Sequence, residues 1–115
     1  MRQHSRDRGR LEDMLKYAQN VEQIVSGITY EQFVADIRIY YSVMKNIEVI
    51  GEAANMLTKD FRLEHPEVPW RDIIDMRNVL VHDYIHISKD MLWATITKDI
   101  SHLKVHIEKF YKDFK

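Results

Sequence analysis

The chain has 115 residues and a formal net charge of −1, with 45% hydrophobic and 30% charged residues. That is the length of one ordinary domain, and the composition folds rather than staying disordered. The lack of cysteine excludes a disulfide framework and thiolate zinc sites. The near-neutral charge means that a nucleic-acid partner has to be met by a local patch.

Three glycines and two prolines are too few for a turn-rich β fold, so an all-α chain is expected. No stretch approaches the ~18 consecutive apolar residues of a membrane span. The opening MRQHSRDRGR carries four arginines and lacks the apolar run of a secretory signal, so the expected site is the cytoplasm. No repeat or linker divides the chain, and a single domain over residues 1–115 is expected.

The first helix is predicted from about Asp7 to Ser26. Leu11, Met14, Leu15, Ala18, Val21, Ile24 and Val25 fall at steps of three and four, and Gly27 supplies the stop. Thr29 and Gln32 read as a capping box. Beyond them Ile37, Tyr40, Tyr41, Met44, Ile47, Ile50, Ala54 and Leu57 continue a helical stripe, as one long helix or as a short one feeding a long one near Asp36. Gly51 lies late in that stripe, where it costs about 1 kcal/mol against Ala. Its presence points to a close approach by another backbone, within the bundle or from a second chain.

Residues Thr58 to Pro69 are the longest loop candidate. Pro69 sits at or just before a third helix that runs from about Trp70 to His82. Ser88 reads as the N-cap of the last helix. Its seam of Ile96, Ile100, Leu103, Ile107, Phe110 and Phe114 is spaced 4, 3, 4, 3 and 4. Long helices with short connections fit an up-and-down antiparallel four-helix bundle.

The segment Arg77-Asn78-Val79-Leu80-Val81-His82-Asp83-Tyr84 carries the chemistry. His exchanges protons near neutral pH, and Arg stays charged and forks onto phosphate oxygens. Together they can cleave an RNA phosphodiester without a metal: a His removes the 2′-OH proton, the Arg stabilises the charge on phosphorus, and an acid protonates the leaving oxygen. One His cannot easily be base and acid at once, whereas a symmetric dimer supplies two copies of His82. On a regular helix Arg77 and Tyr84 nearly eclipse, and Asn78 shares a face with His82 and can orient it. Arg77 and His82 lie roughly 140° apart and converge only if the helix ends near His82 or a second chain completes the site. The bland reading makes Arg77 a surface ion-pair partner and His82 a helix C-terminal residue favoured by the dipole.

Arg77, His82 and Tyr84 match the R-x4-H-x-Y signature of HepT-type toxins of the HEPN class, and Asn78 fits the polar position after the Arg. The likeness extends to Arg6-Asp7 with Leu11-Glu12-Asp13-Met14-Leu15, to Asn46-Ile47-Glu48-Val49-Ile50-Gly51-Glu52-Ala53-Ala54, and to His65-Pro66-Glu67-Val68-Pro69-Trp70, most of the chain in all. The resemblance implies a homodimeric HEPN bundle and a metal-independent endoribonuclease, the toxin of a type VII-like toxin–antitoxin system. Arg77 and His82 would be catalytic, with Asn78 and Tyr84 supporting. It also implies a partner, an MntA-type nucleotidyltransferase antitoxin that transfers AMP to Tyr84.

Other features allow two readings each. Glu48 and Glu52 make either an acidic solvated face or a carboxylate partner for Arg77. Arg2, Arg6, Arg8 and Arg10 make either a phosphate-contacting patch or a frayed terminus. His102 and His106 have a metal-binding spacing, but no second ligand pair is evident, so solvated helix histidines are expected and no cofactor is assigned. His86 stands four residues from His82, near the expected helix break. Against the enzyme stand a non-catalytic helical partner of a nucleotidyltransferase and, more weakly, a structural adaptor.

Overall fold

Apolar stripes at helical spacing draw the chain into four long helical runs, and all regular structure among the described residues is helical. The computed structural model describes residues 2–114, with side chains described over residues 6–114. Helix α1 spans Arg2–Val25 and buries Leu11, Met14, Ala18 and Val21. It starts earlier than the stripe suggested, because the polar first turns carry no periodic apolar signal. Gly27, at φ 77°, takes the left-handed conformation that stops it.

The expected capping box opens α2, Tyr30–Ala35. The Thr29 hydroxyl accepts from the Gln32 N–H at 3.1 Å, and the Gln32 side chain accepts from the Thr29 N–H at 2.8 Å. Of the two readings of this stretch, the short helix feeding a long one is correct. Asp36 leaves helical geometry at φ −104°, ψ 106° and caps α3, Ile37–Met56, through the Arg38 N–H at 2.9 Å. The hydrogen bond from the Arg38 side chain holds the Asp36 carboxyl below the usual range. This capping contribution is therefore present above the ordinary carboxylate pKa and is lost as the pH falls through the lowered one.

The expected loop after Leu57 contains a helix, α4, at Lys59–Glu64. Six residues are too few to show a period. Its anchor is Asp7 of α1, a buried carboxylate that accepts from the Thr58 N–H at 2.9 Å and from the Thr58 hydroxyl at 2.8 Å. The same hydroxyl oxygen accepts from the Phe61 N–H at 3.2 Å, so one residue caps α4 and ties it to α1. Phe61 packs its ring on Phe110, 5.8 Å between centroids, and Phe114, at 5.9 Å.

Helix α5, Trp70–His82, follows Pro69, and the Trp70 indole N–H donates to the His65 carbonyl at 2.9 Å. The chain then makes a 3-10 turn at Tyr84–His86 before α6, Lys89–Ala94, which Ser88 caps through the Met91 N–H at 3.2 Å. A π-helical turn at Thr95–Asp99 joins α6 to α7, Ile100–Asp113. Thr95 and Thr97 donate their hydroxyls back to the Met91 and Trp93 carbonyls at 3.0 and 2.8 Å. The seam from Ile96 to Phe110 stays buried across that turn.

The long helices make the up-and-down bundle that the sequence suggested. Helix α1 packs on α3 and α7, and α3 packs on α5. Between α5 and α7 the bundle opens into a groove of about 910 Å³, floored by Ile47 and Ile50 and walled by Met76, Val79, Ile100 and Leu103. Among the described residues no helix is long and apolar enough to cross a membrane. Replacing Asp7 by Ala is expected to lower stability by about 2 kcal/mol, since two hydrogen bonds to a charged group go and the Thr58 N–H is left unpaired. Urea unfolding checks this, and a change below about 0.5 kcal/mol, the range of ordinary surface substitutions, would contradict it.

Candidate functional site

The motif occupies the last turns of α5 and the break that follows. Its position is set by a contact between α5 and α3. A Cβ at Gly51 would stand 2.3 Å from the Arg77 Cβ, 3.0 Å from its Cγ and 3.1 Å from the Ile73 carbonyl oxygen. The missing side chain lets the Arg77 stem lie directly on α3. The close approach inferred from Gly51 is thus made within the bundle.

Arg77 is largely covered, with 24% of its side chain exposed. Its Nη2 lies 2.6 Å from Glu52 Oε2, one residue beyond Gly51 on α3. Its Nη1 donates to the Asn78 side-chain oxygen at 2.8 Å. Its Nε is buried and has no hydrogen-bond partner among the described residues. Of the two carboxylates considered, Glu52 takes Arg77, while Glu48 pairs with Lys45 at 3.1 Å.

Two expectations from helix geometry are corrected. Asn78 makes no hydrogen bond to His82 among the described residues, and its side-chain oxygen instead accepts from the neighbouring guanidinium. Tyr84 does not eclipse Arg77, because α5 ends at His82. Asp83 leaves helical geometry at φ −148°, ψ 40°, its N–H donating to the Val79 carbonyl at 2.7 Å, and Tyr84 begins the next turn. Arg77 and His82 both lie within α5, so an ending that comes after His82 does not bring them together, and of the two conditions named for their convergence a second chain is the one left.

The imidazole of His82 is exposed at the helix terminus and forms no side-chain hydrogen bond among the described residues. Tyr84 is 49% exposed, and Val79, Val81 and Ile85, neighbours in sequence, are also exposed. The sequence reading missed the pairing of His86, whose Nδ1 lies 2.6 Å from Asp83 Oδ1 across the turn. The i, i+3 spacing was its only signal.

Elsewhere, Arg8 stacks over the Tyr111 ring at 5.0 Å, and Arg6 is exposed. The Arg2 side chain lies outside the described residues, and α1 is already helical at Arg2. His106 and Phe110 stack at 6.2 Å. Among the described residues no group of three or more His, Cys, Asp or Glu side chains is placed to hold a metal ion. Glu67, on the rim of the α5–α7 groove, has its carboxyl held below the usual range by its own backbone N–H and, less strongly, by His65 and His106.

The profile of the family described as "Ribonuclease HepT-like" matches residues 14–110, which runs from the middle of α1 through most of α7 and includes Gly51, Glu52 and the whole motif. The chain belongs to the HepT-like ribonuclease family. It is 36% identical over 102 residues to a protein of Thermococcus cleftensis named "Probable ribonuclease HepT", covering 89% of this chain and 93% of that one. It is 35% identical over 98 residues to a Methanocaldococcus jannaschii protein named "Putative RNase MJ1380", covering 85% of this chain and 90% of the relative. No solved structure matches it. Within this HepT-like chain, the stretch that resembled the family's second helix is the part of α3 that meets the motif.

Gly51→Ala is expected to destabilise the protein by about 1–3 kcal/mol through overpacking. That outweighs the gain of about 1 kcal/mol in helix propensity. Gly9→Ala is the control, because nothing lies within 4 Å of the added methyl, and it should be neutral or stabilising. Equal effects of the two substitutions in denaturant melts would contradict the close crossing.

Proposed function

We propose that this HepT-like chain is an endoribonuclease that cuts RNA without a metal, with Arg77 and His82 as its catalytic groups and two copies of the chain forming the cleft. The observation that carries the reading is that one helix holds an anchored guanidinium and, on its last residue, an exposed imidazole, in a chain of the HepT-like ribonuclease family. The exposed Val79 and Val81 within the motif, and Ile85 just after it, support a second copy there, since exposed apolar surface gains from being covered.

In the reaction, His82 takes the proton of a ribose 2′-OH. The 2′ oxygen attacks phosphorus, and the bond from phosphorus to the 5′ oxygen breaks. The partner's His82, protonated, gives its proton to the departing 5′ oxygen. Arg77 stabilises the extra negative charge on the phosphoryl oxygens. The products are a 2′,3′-cyclic phosphate and a 5′-hydroxyl.

Tyr84 fits the role of a modification site, since its hydroxyl is exposed two residues beyond His82. On this reading the Tyr84 oxygen attacks the α-phosphorus of ATP, held by an MntA-type nucleotidyltransferase antitoxin, and pyrophosphate leaves. The attached AMP puts a negative phosphate beside the motif, where it competes with RNA for Arg77. The toxin role follows from that regulation.

A second reading, a non-catalytic helical partner of the nucleotidyltransferase, draws on the same exposed apolar side chains. The two separate on purified, unmodified protein incubated with a broad RNA pool in EDTA. The ribonuclease reading expects cleavage, a fall of roughly 10²–10⁴-fold for His82→Ala and loss of activity for Arg77→Ala with the fold retained. Intact RNA in every sample, with partner binding preserved, would establish the second reading. Treatment with the antitoxin and ATP should add AMP increments to the intact mass, and Tyr84→Phe should abolish the gain; an unchanged gain in that variant would remove Tyr84 from the scheme.

A further inference from the structure

The guanidinium of Arg77 is held on three sides. Gly51 lets its stem lie flat on α3, the Glu52 carboxylate meets Nη2, and the Asn78 amide oxygen meets Nη1. The remaining nitrogen, Nε, is sealed from solvent without a partner. A flexible arginine on a surface would satisfy all its donors with water. This one gives up a hydrogen bond at Nε, a cost that persists only where the surroundings dictate the position.

We infer that Glu52 is the positioning residue of Arg77: its carboxylate fixes the guanidinium so that the terminal Nη1 and Nη2 edge, and not the Nε edge, is presented to an RNA phosphate. The inference rests on the ribonuclease reading for its substrate but not for its geometry. With Nε out of reach, a phosphate arriving from solvent meets only the two terminal nitrogens. Each of them carries two N–H bonds, so each keeps one beyond the contact it already makes. Glu52 also offsets the charge of Arg77 before RNA arrives. Removing it should free the arginine electrostatically while loosening it geometrically, and these two effects act on different kinetic constants.

The test uses full-length protein carrying Glu52→Ala or Glu52→Gln. Positioning expects Glu52→Ala to lower kcat roughly 10- to 100-fold, the scale of a catalytic group misplaced by about an ångström. KM for RNA should stay level or fall, because an unopposed cation attracts phosphate. Glu52→Gln keeps an oxygen acceptor for Nη2 and should recover part of kcat. A purely structural role expects kcat and the melting temperature to fall together, with no rescue by Gln. That result, or an unchanged kcat in Glu52→Ala, overturns the inference.

A second readout needs no catalysis. The buried Nε–H of Arg77 should give a slowly exchanging NMR resonance in the wild type, assigned by its disappearance in Arg77→Lys. It should be lost to exchange in Glu52→Ala and kept in Glu52→Gln. Wild-type protein that cuts no RNA would end the ribonuclease reading and leave this resonance to decide the positioning. The same slow resonance in Glu52→Ala would end the positioning.

Discussion

The position of Arg77 depends on how closely α5 can approach α3, and that distance is set by the absence of a side chain at residue 51. The crossing puts the Arg77 stem in contact with the neighbouring backbone and brings the guanidinium level with Glu52, one residue further along α3. Had the two helices been held apart by a methyl group, the arginine would reach the same region only by extending through solvent, and its orientation would be averaged over many rotamers. The glycine costs helix propensity in exchange for a defined charge position, a common arrangement where backbone must come close to something.

The second constraint is the end of α5. Asp83 leaves helical geometry immediately after His82, so the imidazole sits on the last residue of the helix and the Tyr84 ring begins a different turn. This ending divides a run of eight residues between the last turns of α5 and the turn that follows. Arg77 is anchored inward while His82 and Tyr84 face outward with apolar neighbours. The division leaves one charge fixed against α3 and two polar side chains open to solvent. The opening between α5 and α7 leaves this side of the bundle less tightly closed than the α1–α3–α7 side.

Much of the fold was legible because it is written in helical periodicity. The stripes of α1, α3 and the α6–α7 run, the Thr29 capping box, the Pro69 start and the Ser88 cap all arise from local rules that operate within one turn of helix. Helix α4 was not legible, because what holds it is a long-range contact: Asp7 reaches Thr58 across 51 positions of sequence. The π turn was hidden for a related reason. Its apolar seam keeps the ordinary 4, 3, 4 spacing, so the pattern carries no mark of the widened hydrogen bonding. At the site, Gly51 announced a close approach but not its partner, and Glu48 and Glu52 were equivalent until the rotation of α3 was known. The pairing of Asn78 with Arg77 escaped because side chains one residue apart do not face each other on a helix, and only the reach of the arginine brings them together.

The central claim is that the crossing at Gly51 acts on the chemistry through Arg77 and not through general loosening of the bundle. A double-mutant cycle in RNA cleavage, with Gly51→Ala, Arg77→Ala and the pair of substitutions measured under conditions where every variant is folded, tests it most directly. If the glycine works through the arginine, the double variant cleaves at the rate of Arg77→Ala alone, since there is no guanidinium left to misplace. If the loss from Gly51→Ala is instead carried in full on top of that of Arg77→Ala, the two act independently, and the account of how this site is built is wrong.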